Sequence, residues 1–250
     1  MKQFLLMIAV VALVGCGKKK EDGNTGVVNP NKPSPKAIPE KLIADPIVEK
    51  AIRQELKKLE GKLTEADLEN VTHLHLMTPP QITDAGLKEV VKLQNLTELI
   101  LDYTRIADAG LKEVANLQKL ERLALSETKI TDAGLKDIAK LQKLTKLDLD
   151  KTKITDAGLK EVAKLQRLVG LYLHSTQITD AGLKEVAKLK QLEELGLTGT
   201  QITDAGLGDI AKLQNLTKLY LQLTKITDAG AAELRKVLPN CNITHSYKKD

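Results

Sequence analysis

The sequence predicts an α/β solenoid, with a parallel concave sheet of about eight strands, helices on the convex side and a helical cap at the N-terminal end. Three observations carry that expectation. A 24-residue unit opening with Ile-Thr-Asp-Ala-Gly-Leu begins at Ile82 and restarts at Ile106, Ile130, Ile154, Ile178, Ile202 and Ile226, with Ala107 replacing the threonine in the second copy. Each copy ends in a leucine frame, as in Leu96-x-x-Leu99-x-Leu101 or Leu144-x-x-Leu147-x-Leu149, so a helical segment and a short strand alternate along the chain. No copy can bury its own leucines, but stacked neighbours bury them as one continuous column.

Taken from the N-terminus, the chain opens with Lys2, an apolar run from Phe4 to Val14, and Leu13-Val14-Gly15-Cys16. These are the charged, apolar and small-residue regions of an export signal, and the apolar run is too short to cross a membrane as a helix. The Leu-Val-Gly-Cys sequence resembles a bacterial lipobox. That resemblance implies a signal peptide over 1–15 and makes Cys16 the mature N-terminus, lipidated with enough acyl chains to anchor stably. Lys18, Lys19 and Lys20 follow, placed to meet anionic head groups at roughly 1 kcal/mol each. Residues 16–40 read as a lipidated cysteine and a disordered tether, because Pro30, Pro33, Pro35 and Pro39 deny regular structure.

Residues 41–81 are expected to form the cap and the first strand. Asp45-Pro46 reads as an N-cap followed by proline at the first helical position, opening a helix through about Lys58 with Ile47, Val48, Ala51, Ile52 and Leu56 inward. Thr64 starts a second helix, with Asp67 at capping-box spacing, and the first strand runs from His73 to Met77. The repeats and a C-terminal cap occupy 82–250. There Leu238-Pro239-Asn240-Cys241-Asn242-Ile243 matches the leucine frame, which puts Cys241 in a leucine slot as a packed core thiol.

The net charge of +5 points to no nucleic-acid partner. Setting aside Lys2, Lys18, Lys19, Lys20, Lys32 and Lys36, with Glu21, Asp22 and Glu40, leaves 32 basic and 30 acidic residues, a net of +2 for residues 41–250. With no arginine cluster and few aromatics, the footprint of a nucleic-acid binder is missing. Cys16 is assigned to lipid, so Cys241 has no partner and there is no disulfide framework.

The repeats, from roughly Ile43 to His245, resemble the leucine-rich-repeat family, and within it bacterial lipoproteins built from Ile-Thr-Asp-Ala-Gly-Leu units. The resemblance implies a horseshoe. Where the family places Asn or Cys at the end of the strand, this chain has Thr104, Thr128, Thr152, Thr176, Thr200 and Thr224, whose hydroxyls are expected to bond neighbouring loop backbone. Asp84, Asp108, Asp132, Asp156, Asp180, Asp204 and Asp228 stand where each helix begins. They are expected to accept orphan amide hydrogens and meet the helix dipole rather than to hold calcium. The glycines from Gly86 to Gly230 are expected to permit close packing of each helix against the next coil.

Function must lie where the repeat varies, since such a fold hosts many functions. In each strand the leucines point inward and the residues between them face the concavity. The middle column reads His75, Ile100, Ala124, Asp148, Tyr172, Gly196, Tyr220 and Asn242. The next reads Met77, Asp102, Ser126, Asp150, His174, Thr198, Gln222 and Thr244; beyond it come Tyr103, Glu127, Lys151, Ser175, Gly199, Leu223 and His245. These columns hold three of the four tyrosines and every histidine except His73, which faces the concavity one column earlier. In so aromatic-poor a chain that is the mark of a recognition strip. The candidate partner-binding residues are Tyr103, Asp148, Asp150, Tyr172, His174, Tyr220 and Gln222.

Catalysis fits the same map poorly. Asp150 and His174 lie on adjacent strands about 4.8 Å apart, yet Ser126 lies beyond Asp150, whereas a nucleophilic triad needs histidine between the other two. His73 and His75, with Glu98 and Asp102 on the next strand, form at best half of a zinc site. No catalytic residue, metal or cofactor is assigned. The sequence therefore reads as a monomeric, lipid-anchored envelope protein that binds another protein on its concave face. A structural or polysaccharide-binding envelope protein, and a metal-dependent or hydrolytic enzyme, are the alternatives. Gly17 after Cys16 favours, by family analogy, the outer membrane or cell surface in a diderm.

Overall fold

In a computed structural model, residues 41–77 and 81–245 are described, and they belong to one compact unit. Cys16, the export signal and the tether lie outside the described residues. Helix α1 (Pro46–Glu55) starts where Asp45 Oδ1 accepts the Ile47 and Val48 amides at 2.8 and 3.1 Å. Helix α2 (Glu65–Glu69) opens with the expected capping box between Thr64 and Asp67. Both precede β1 (His73–His75), two residues shorter than the sequence predicts.

Helices and strands then alternate. They run α3 (Asp84–Val90), β2 (Glu98–Ile100), α4 (Asp108–Val114), β3 (Arg122–Ala124), α5 (Asp132–Ile138), β4 (Lys146–Asp148), α6 (Asp156–Val162) and β5 (Gly170–Tyr172). They continue through α7 (Asp180–Val186), β6 (Glu194–Gly196), α8 (Leu207–Ile210), β7 (Lys218–Tyr220), α9 (Asp228–Val237) and β8 (Asn242–Thr244). The eight strands pair in chain order and in parallel. Leu99, Leu123, Leu147, Leu171, Leu195 and Leu219 sit side by side in register and are fully buried. This is the expected column, a core shared between neighbouring coils rather than gathered at one centre.

The aspartate column does something other than cap its own helices. Asp108 Oδ1 accepts the Thr131 amide at 2.8 Å and Oδ2 accepts the Thr131 hydroxyl at 2.6 Å, one coil further on. Asp132, Asp156, Asp180 and Asp204 repeat the pair toward Thr155, Thr179, Thr203 and Thr227. The threonine is the cap: Thr131 accepts the Ala133 amide at 3.3 Å. The aspartate is thus a strut between coils, and the glycine makes room for it. A Cβ on Gly134 would stand 2.5 Å from Asp108 Oδ1 and 2.8 Å from Leu111 Cδ1.

Two other expectations need correction. The threonines ending each strand bond within their own coil; Thr152 Oγ1, for example, donates to the Leu149 carbonyl at 2.6 Å. The second concerns β8, where Ile243, not Cys241, pairs with Leu219, and Thr244, not Asn242, pairs with Tyr220. Ile243 stands 24 residues after Leu219, so β8 keeps the period of the repeat, and helix α9, ten residues where α3 to α7 run seven, takes up part of the loop in between. Cys241 is buried even so, at 9% exposure, and burial raises its thiol pKa. His245 leaves the concave columns and closes the end of the core, with Nε2 2.8 Å from the Ile226 carbonyl.

Candidate binding surface on the concave sheet

Each strand contributes two exposed-side residues to the concavity, and a third follows just past its end. Hydrogen bonding at that third position is solved by side chains. The Ser126 amide donates to Asp102 Oδ1 at 2.7 Å, the His174 amide to Asp150 Oδ1 at 2.7 Å, and the Thr198 amide to His174 Nδ1 at 3.0 Å. Asp148 Oδ1 accepts the Asp150 amide at 2.9 Å. Several predicted recognition residues therefore also satisfy backbone donors where the ladder ends. The sequence reading saw the first role only.

Because Nδ1 of His174 accepts, its ring proton sits on Nε2, and burial holds its pKa below the ordinary value. The ring lies over Gly196, where any Cβ would overlap Nε2. That position puts it between Tyr172 and Tyr220, with ring centroids 6.3 and 5.8 Å away, the second pair edge-on. Both spacings lie in the range of favourable ring contacts. The Tyr172 hydroxyl donates to Glu194, whose other oxygen meets Lys218 at 2.8 Å. Burial and that bond raise the tyrosine pKa, so it stays a donor.

Beside the rings lie three carboxylates. Burial pushes Asp148 and Asp150 up to about 6, the backbone bonds oppose the rise, and neighbouring carboxylates add to it. Asp102 is also raised by burial. Gln222 Oε1 accepts the Thr198 hydroxyl at 2.9 Å, at the edge of the aromatic group. Tyr103 stands apart on the β2 side, half exposed on a turn with φ of 61°. The structure thus brings together Asp148, Asp150, Tyr172, His174, Tyr220 and Gln222, and leaves Tyr103 outside.

Residues 94–154 and 212–234 match the leucine rich repeat family. Among solved structures, the chain is similar to internalin C2 from Listeria monocytogenes, with 26% identity over 82% of this chain and 94% of that one, at a TM-score of 0.64. It is also similar to a leucine-rich-repeat protein from Leptospira interrogans, with 29% identity over 71% of this chain and 44% of that one, at a TM-score of 0.54. Among curated proteins none matches. The fold is a leucine-rich-repeat solenoid.

On this leucine-rich-repeat solenoid the geometry disfavours the enzymatic alternatives. The Asp150 carboxylate holds the backbone amide of His174 and not its ring, so the pair is no acid–base dyad. His75 Nε2 meets Glu98 at 2.9 Å and His73 Nδ1 meets the Thr72 hydroxyl at 2.9 Å, and the two rings engage different partners. Among the described residues, no group of three or more potential metal ligands converges. Apart from His73 and Glu98, sequence reasoning missed the column before the leucine, with Arg122, Lys146, Gly170, Glu194 and Lys218. It is in register across the sheet and faces the same way as the middle column. Strand alternation alone could have found it, as it found His73.

Proposed function

We propose that this chain is a lipid-anchored protein of the bacterial cell envelope, on the outer membrane or cell surface in a diderm, whose concave sheet binds another protein. One observation carries the binding half: variable aromatic, imidazole and carboxylate groups meet on one face, from Asp148 to Gln222, above a leucine frame that barely changes. Leucine-rich repeats are suited to this use because the solenoid gives a wide, rigid, curved platform. The anchoring half rests on Cys16 and the residues before it.

Two experiments test the halves separately. The full chain, immobilised and exposed to envelope extract, should retain one protein in stoichiometric amount; retention of polysaccharide alone would favour the carbohydrate reading. Cys16→Ser should release the protein from the membrane fraction. A variant that stays with membranes through a high-salt wash contradicts the anchor.

A further inference from the structure

The concave surface carries charges of both signs; Arg122 pairs with Glu98 and Lys218 with Glu194, but Lys146 and three carboxylates form no ion pair among the described residues. Arg122 and Lys146 are register partners on β3 and β4, both exposed. Arg122 reaches Glu98 at 3.3 Å, and Lys146 forms no ion pair among the described residues. Together with Leu123, Asp148 and Tyr172 they line a recess of about 210 Å³, room for one side chain. Gly170, next across the sheet, is covered by the Tyr172 ring and the Lys146 stem, which wall that end of the recess.

Asp148, at the edge of that recess, begins an acidic group that continues with Asp102 and Asp150. Each has one oxygen on a backbone amide, and none forms an ion pair among the described residues. Lys151, the nearest cation in sequence, is turned to Glu127 instead. Ala124, beside Asp148, and Ser126, between Asp102 and Asp150, are the smallest side chains of their columns apart from glycine. Partly buried charges without counter-ions cost free energy that a complementary partner recovers. A bound metal is a poor substitute, since the three carboxylates do not converge as ligands.

Within the protein-binding reading, on which this rests, we infer that the β3–β4 region accepts a partner segment bearing opposite charges two to four residues apart. Its acidic side chain enters between Arg122 and Lys146, and its basic side chain lies over Ala124 and Ser126 toward Asp102, Asp148 and Asp150. Two residues along a strand span about 6.6 Å, so the cations lie one step from Asp148 and two from Asp102 and Asp150. An extended partner covers that distance in two to four residues.

The test is selection from a random heptapeptide display library on the immobilised full chain. Selected peptides should be enriched at least about fivefold in acid–base pairs two to four residues apart, the gain expected from a few such ion pairs. The acidic preference should vanish with Arg122→Ala/Lys146→Ala. The basic preference should vanish with Asp102→Asn/Asp148→Asn/Asp150→Asn, which keeps the oxygens that accept backbone amides; thermal melts confirm folding of both variants. A motif that survives both variants but is lost with Tyr220→Ala overturns this inference and spares the concave-face reading. A motif indifferent to all three overturns both, and the absence of any selected motif overturns the inference.

Discussion

Gly196 shows how one missing side chain shapes a surface. With no Cβ there, the His174 ring can lie flat enough to accept the Thr198 amide and to meet Tyr172 and Tyr220. Gly196→Ala is expected to displace the ring and cost about 1 kcal/mol, the worth of that hydrogen bond. In a His174→Ala background the same change should cost nearly nothing, and chemical denaturation of the four proteins checks it. The carboxylates make a second prediction. Asp148 and Asp150 have folded pKa values of about 6 against an ordinary 3.8, so between those values the folded chain holds more protons than the unfolded one. Their stabilising contribution is full below about pH 3.8 and is lost as pH rises through 6. The difference in denaturation midpoint between the native chain and Asp148→Asn/Asp150→Asn should move against the native chain as pH rises across that range. That comparison separates these two groups from carboxylates such as Glu98 and Glu194, whose pKa values are lowered.

Elements in this molecule are regular where the repeat is regular, and each deviation has a residue behind it. Helices α3 to α7 share the sequence Asp-Ala-Gly-Leu-Lys, but the next coil has Gly208 where the others have lysine. Its first turn tightens to a 3₁₀ turn over Asp204–Gly206, and only Leu207–Ile210 is α-helical. A Cβ at Gly208 would meet nothing within 4 Å. Gly208→Ala should therefore stabilise by about 0.5–1 kcal/mol, because glycine is entropically costly inside a helix; an unchanged or lower melting temperature would contradict this. Struts and caps were harder to read than helices. Sequence places Asp132 at a helix start, where a cap is the ordinary reading, but only the stacking distance reveals that Thr155 of the next coil is its partner.

At the scale of the whole molecule, a fixed 24-residue period made the fold legible, because every leucine position predicts the next. The register failed at one place. Leu238 and Cys241 mimic the leucine frame at the spacing of Leu216 and Leu219 but lie off the period; Ile243, 24 residues after Leu219, keeps it and takes the inward position. The binding surface was half legible. Alternation exposed Asp148, Tyr172 and Tyr220, while the uses of Gly196, Arg122 and Lys146 depend on what neighbouring strands bring alongside.

The account stands on the concave sheet being the working face, and the affinity of a captured envelope partner for surface variants tests that most directly. Tyr220→Ala should weaken binding by about 1–2 kcal/mol, as loss of an interface anchor does, with the melting temperature nearly unchanged. Lys160→Ala/Lys184→Ala, on the exposed helix side, should leave affinity as it was. A partner whose affinity falls with the lysine changes and ignores Tyr220→Ala would make the convex side the binding surface and contradict the account.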